Sequence, residues 1–539
     1  MNPSFVRKIV YLVLLVVLLF PMAWIGSPAT RDDDGGKLAQ LRKENRLGQA
    51  DLGAIDPASE TIRMATLGLR NIAVNMLWTK ANEYKKVEDW TAFQSTLNQI
   101  SKLQPYFVKV WQYQAWNLTY NVSVELDDVR DRFYYVKQGI KYLKEGIQHL
   151  RDNPTLLDDL GWFTGNKVGR ADEHVKYRAM FQADDELHSE NTQEADKDNW
   201  LVSKDWYELA ISAIDDKKQP LGTKNPVTFF DSPARSEMSY AEAIQEEGVH
   251  QSRWKSAWQE GARLWDEYGK RSFQATQGFP IRLADQEMHE EDAKKLTAEL
   301  DAMAPGLRDK MHREAEQSLT PRQAALLAAP PTSPSAEEAE LTQQANEALN
   351  VTVSKIATRI GKDDPAKAAA ARKLANRIDD ATARANAISI DRDVANYSYW
   401  TVRCDIEQSD EALEARRLAH EAQDAFKDAD LERARELYEQ SFTLWKAALD
   451  KFPAMAPDST FGDDLMEFVD DYRKVLDQLD LRMSDKGVAE VFPLWVVVEA
   501  NDNERKYSEE IARYRGQDTS LPGTGGDKPA INPADMLLQ

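Results

Sequence analysis

One cysteine, Cys404, stands in a chain of 539 residues. A single thiol excludes an intramolecular disulfide, a CxxC redox pair, a c-type haem attachment and a cysteine zinc cluster. It leaves the compartment open, because an oxidising space permits disulfides without requiring them. Missing too are the short motifs of common chemistries: no GxxxxGK[ST] phosphate loop, no GxGxxG turn, no GxSxG elbow and no HExxH helix. Basic residues are outnumbered, 68 against 90 acidic ones, and the net charge of -22 makes nucleic acid and anionic head groups poor partners for the polar body. Strand-like alternation between turn residues is nearly missing as well.

Long apolar runs are scarce, and the one present is N-terminal. Ile9 to Ile25 is uncharged, about 17 residues long, and ends beside Trp24 as an interfacial anchor would. Arg7 and Lys8 precede it and Asp32, Asp33 and Asp34 follow, which predicts a cytoplasmic tail (1–8), a transmembrane anchor (9–26) and an extracytoplasmic body on a single-pass inner-membrane protein. Lys37, Arg42, Lys43 and Arg46 oppose that bias. Ser27-Pro28-Ala29 makes a poor cleavage site, so an uncleaved signal anchor is expected.

With 42% hydrophobic residues the remainder can build real cores. Between Ala58 and Asp480 the apolar residues recur at helical spacing, and the expected class is all-α. Thr320-Pro321-Arg322-Gln323 and Ser335-Ala336-Glu337-Glu338 read as capping boxes, and Asp364-Pro365 as a third helix start.

Leu418, Ala422, Ala434, Tyr438 and Ser441 fall at five signature positions of a roughly 34-residue helix-pair repeat, with Lys427 to Asp430 as the turn. Here the chain resembles the tetratricopeptide-repeat family. Lys446 replaces the usual proline, and the second helix continues through Trp445 towards Phe452-Pro453. Ala81, Tyr84, Leu97 and Pro105 repeat the pattern more weakly, and Trp111 and Ala115 open a further unit whose second helix runs from about Asp127 to Leu150. The resemblance implies an α-solenoid whose concave face receives an extended peptide or a partner helix. On that face Asn75, Lys80, Tyr84, Tyr113, Asn117 and Asn121 are the candidate groove.

The remaining boundaries follow from composition: a linker over 27–56, TPR-like helices over 57–180 and 391–500, and a helical region over 181–280. Within the last, residues 215–235 form a proline-rich loop whose Phe229 and Phe230 fold back on the body. Residues 281–390, rich in Ala, Glu and Lys, predict long helices or a coiled coil, and 501–539 a largely disordered tail. Trp254, Trp258, Trp265 and Tyr268 share one helix face and read as packing.

Asp184 and His188, at i and i+4, with Asp172, Glu173 and His174 upstream, are the best arrangement for a metal, although in so acidic a chain such neighbours arise by chance. The leading reading is therefore a membrane-anchored scaffold without catalysis, cofactor or metal, binding proteins or peptides at the membrane surface. An envelope enzyme or metal-dependent factor is the alternative, and a spacer self-associating through its central helices as a homo-oligomer is the third.

Overall fold

A computed structural model describes residues 70–189, 192–248, 251–275 and 277–518, with isolated positions between 14 and 41. Its contacts divide the chain into two units, Met1–Tyr240 and Ala241–Gln539. Both are all-α.

In the first unit the helices are α1 (Arg70–Lys86), α2 (Trp90–Leu103), α3 (Val108–Trp116), α4 (Val129–His149), α5 (Pro154–Trp162), α6 (His174–Gln182), α7 (Asn199–Asp215), α8 (Pro226–Phe230) and α9 (Ser232–Glu246), within which the division falls. Their starts are written in capping side chains. Asp89, Asp128, Asn153 and Asp198 each accept a backbone N–H of the first turn, and Pro154 occupies the first position of α5. Every helix buries one stripe. Trp111, Ala115, Val136, Ile140, Leu143, Leu156 and Leu160 make one core, and Val74, Ala81, Phe93, Leu97 and Ile100 make that of the α1–α2 pair.

The second unit continues with α10 (Gln251–Lys270), a two-stranded ribbon of β1 (Phe273–Gln274) and β2 (Pro280–Ile281), then α11 (Gln286–Ala302), α12 (Leu307–Ser318), α13 (Pro321–Ala328), α14 (Ala336–Leu349), α15 (Val353–Asp363) and α16 (Ala368–Ala395). It closes with α17 (Tyr397–Glu407), α18 (Asp410–Lys427), α19 (Leu431–Lys451), α20 (Ser459–Gln478), α21 (Lys486–Ala489), α22 (Trp495–Asn501) and α23 (Ser508–Asp518). Both capping boxes form, at Thr320 with Gln323 and at Ser335 with Glu338. Trp254, Trp258, Trp265 and Tyr268 are all buried, and Trp265 stacks on Trp400 at 6.5 Å. The α18–α19 hairpin turns through Ala429, which has φ 61°, with Ala422 and Ala434 buried where the helices approach. There Ser441 donates to the Ala415 carbonyl at 2.7 Å, and α19 is elongated to Lys451.

Four expectations need correction. Among the described residues no helix is long and apolar enough to cross a membrane. The single-pass anchor, and the placement of the body beyond a membrane that rested on it, is therefore not supported. The longest described helix, α16, has 28 residues but carries charged side chains on nearly every turn. Most of residues 9–26 lie outside the described residues. The loop over 215–235 shrinks to 216–225, because Asn225 caps α8 and Pro226 opens it, burying Phe229 and Phe230. The central region holds one long helix only, since Gly306 at φ 74° and the prolines at 321, 330 and 331 divide the rest. Leu296, Leu300, Ile356, Ile360, Ala371, Ala375 and Ile378 form its small core. The tail is ordered to residue 518, with Tyr507 buried and Tyr514 stacked on Trp495 at 4.8 Å, while 519–539 lie outside the described residues.

An ion cluster sits inside the second unit. Glu407, fully buried, accepts from Arg416 at 2.7 and 2.5 Å, and its Oε1 lies 3.1 Å from Arg403 Nε. Arg403 also reaches Asp464 and lies over the Phe461 ring at 4.7 Å. Burial alone would raise the Glu407 carboxyl, but Arg416 and Arg403 outweigh it and hold it below the usual range. Glu407→Gln should destabilise the second unit by about 3–5 kcal/mol, because it leaves buried guanidinium charge uncompensated. Urea unfolding checks this, and an unchanged midpoint would contradict it.

Candidate functional site

Helices α1, α3 and α5 meet in order, Trp78 of α1 against Tyr113 of α3 and Gln112 of α3 against Asp159 of α5. On α3, Trp111 and Ala115 point inward and are buried. At about 100° per residue, Tyr113 lies roughly opposite Trp111 and must face outward. It is 46% exposed, its ring lying edge-on to Trp78 of α1 at 5.1 Å. One turn on, Trp116 is 47% exposed and stacks on Tyr120 at 4.2 Å. α5 presents the matching pair, Asp159 and Trp162, again one turn apart, with Trp162 47% exposed. Gln112 on α3 donates from Nε2 to the Asp159 carboxylate, joining the two helices.

Beyond Trp116 and beyond Trp162 the backbone passes into π-helical turns, Asn117–Val122 and Phe163–Lys167. Each wider turn shifts the register of the residues C-terminal to it, a feature frequent at functional sites. In the first, Asn117 is 1% exposed. Its Nδ2 donates to the Tyr113 carbonyl at 2.8 Å, and its Oδ1 accepts from Lys85 at 3.1 Å and from Asn121 at 2.7 Å. Lys167 lies over the Tyr120 ring at 5.1 Å. Burial pushes the Tyr120 phenol up to about 12, against the opposing influence of the Trp162 indole.

The edge of the face carries charge. Lys224, on the segment leading into α8, reaches Asp158 at 2.5 Å and Asp159 at 3.1 Å. Burial raises the Asp158 carboxyl, with Lys224 opposing it. Deeper, Asp231 is buried, accepts from Arg235 Nε at 2.6 Å through Oδ2 and has no hydrogen-bond partner at Oδ1 among the described residues. Burial pushes it up to about 7, Arg235 opposes this, and the Asp158 charge adds to it.

The six residues expected to form the groove divide. Tyr113 lies on this face and Asn75, exposed, stands one turn before Trp78. Asn117 is interior, a bracket for the π-helical turn, so it offers no free amide for a partner's backbone, and the half-buried Asn121 donates to it. Lys80 sits about 200° round α1 from Trp78 and so faces elsewhere. There it covers the ring of Tyr84 at 5.7 Å, and Tyr84 packs on the α1–α2 core. Gln112, Trp116, Asp159, Trp162 and Lys224 were not anticipated. Trp116 is legible in outline, standing five residues from the inward Trp111. The π-helical turns and the return of Lys224 have no signature in sequence.

The acidic stretch from Asp172 to His188 is committed elsewhere. Lys137 of α4 binds Asp184 at 2.6 Å and Glu186 at 2.8 Å, Arg132 binds Glu173, and His188 Nε2 meets the Phe181 carbonyl at 2.8 Å. Among the described residues no group of three or more His, Cys, Asp or Glu side chains is placed to hold a metal ion.

Asp231 generates a pH prediction. The unfolded chain releases this proton near the ordinary carboxylate value of about 4, whereas the native state keeps it to about 7, so the contribution of Asp231 to stability falls as pH rises across that window. The difference in urea-unfolding free energy between wild type and Asp231→Asn should decline from pH 4 to 7 and level off above. A difference that does not vary with pH would contradict the assignment.

Comparison with protein-family models, with curated proteins and with solved structures finds no match, so the functional reading rests on this geometry.

Proposed function

We propose that the first unit is a TPR-like recognition module, and that the face built from α1, α3 and α5 holds a segment of a partner protein without doing chemistry on it. The observation that carries the reading is the exposure of Tyr113, Trp116 and Trp162 on α3 and α5, two helices joined by Gln112 and Asp159. Large aromatics half open to water on two contacting helices expose apolar surface, and exposed apolar patches mark interaction surfaces. Rigid aromatics flanked by hydrogen-bonding groups are the usual composition of an interface centre. Here Gln112, Asp159 and Lys224 supply that polar rim.

The TPR-like reading rests on three features. Helices α1 and α2, α3 and α4, and α18 and α19 succeed one another as packed pairs; the small residues Ala81, Ala115, Ala422 and Ala434 are fully buried; and the second helices α4 and α19 are long, at 21 residues each. In this reading the second unit, with its own helix hairpin, is a separate module on the same chain, and the protein works as a scaffold whose modules engage different segments.

A photo-crosslinking side chain at position 162 of the full chain, irradiated in its native cell, tests the reading. One discrete protein adduct is expected, reduced at least about tenfold when Trp116→Ala is added, since a central aromatic contributes about 2 kcal/mol or more. The same adduct formed equally from position 175, an exposed site on α6, or no adduct from 162, would contradict it.

A further inference from the structure

Several surface cations of this chain are paired within their own helix. Arg263 meets Glu260 and Glu267, Arg417 meets Glu414 and Glu421, Arg435 meets Glu439 and Lys446 meets Asp450. α16 carries three that are not. Arg372, Lys373 and Arg377 on its N-terminal half are exposed and make no hydrogen bond or ion pair among the described residues. Lys373 and Arg377 stand at i and i+4, where like charges repel. No acid lies one turn before either arginine: position 368 is Ala, and position 373 is Lys itself.

These three side chains line one groove, about 810 Å³, between α16 and α11. Its floor is apolar, at Leu296 and Ala381, both buried. Arg384 closes one end and is already engaged, 3.0 Å from Asp380 and 5.2 Å from the Phe279 ring centroid. The lining carries four cations against the two carboxylates Asp292 and Asp380, a local surplus of positive charge in a chain of net charge -22.

We propose that this groove binds a short acidic segment of a partner protein, its carboxylates meeting Arg372, Lys373 and Arg377 and its apolar side chains the floor at Leu296 and Ala381. The three free cations span about 8 Å along the helix, the reach of two or three carboxylates in an extended or helical peptide. Charge complementarity selects the occupant. An arginine fork suits a carboxylate, and a compact ligand of few charges is attracted by the groove at short range. A long polyanion would extend beyond a Debye length of about 8–10 Å into the field of the acidic body.

The test uses the full chain and two fluorescein-labelled peptides, one with four glutamates interleaved with leucine and alanine, the other with glutamines in their place, followed by fluorescence anisotropy. The glutamate peptide should bind and the glutamine peptide should not. Arg372→Glu with Arg377→Glu should weaken binding at least about tenfold, the extra glutamates reversing the attraction. Lys427→Glu with Lys446→Glu, an equal change in net charge on α18 and α19, should alter it less than about twofold. Should the double reversal lose helical circular dichroism, Arg372→Gln with Arg377→Gln decides, with weakening still expected. Equal binding of the two peptides, unchanged binding in both groove variants, or an equal loss in the α18–α19 control would overturn the proposal. So would a single-stranded oligonucleotide that binds the groove more tightly than the glutamate peptide.

Discussion

Close approach of helices at small residues is the constraint on which the rest of this structure depends. A side chain added at Gly146 of α4 would lie 2.8 Å from the Trp111 ring, and one at Gly161 of α5 equally close to the Tyr207 ring. Ser441 and Ala415 play the same part between α18 and α19. A chain with one cysteine has no internal disulfide to hold it, so stability comes from interdigitated helix faces, and a helix admitted this closely has almost no freedom to rotate.

Fixed rotation creates the exposed aromatic face. Once Trp111 is seated against Gly146, helix geometry leaves Tyr113 and Trp116 on the outer side of α3. Gly161 packed on Tyr207 likewise sets the side of α5 that shows Trp162. The π-helical turns then reset the register behind both helices, which lets Tyr120 fold under Trp116 and Asn117 tie α3 to Lys85 of α1. The buried Arg403–Glu407–Arg416 cluster is a different solution in the second unit, where hydrogen-bonded charge joins α17 to α18.

Much of this was written in the sequence, and the failures have physical causes. Helix starts at Thr320, Ser335 and Asp364 were legible because capping is local chemistry, and the ends of α4 and α19 because Pro154 and Pro453 come soon after them. The inward tryptophans of α10 could be read from their spacing. The groove residues were half legible. Periodicity says that one face of α1 is outward, but which face turns to α3 depends on contacts remote in sequence, so Lys80 and Tyr84 were placed with Tyr113 though they lie elsewhere. Asn117 read as a surface amide because no pattern announces a π-helical turn. The apolar run at 9–25 pointed to a membrane span that no described helix supplies.

The central claim is that Tyr113, Trp116 and Trp162 are a surface made to be covered. Hydroxyl-radical footprinting of the full chain, purified and in its native cell, measures this directly. The account predicts that Trp116 and Trp162 are readily oxidised in the purified protein and protected in the cell, while the exposed Val175 and Val496 react alike in both. Equal oxidation of the two tryptophans in both settings would contradict it.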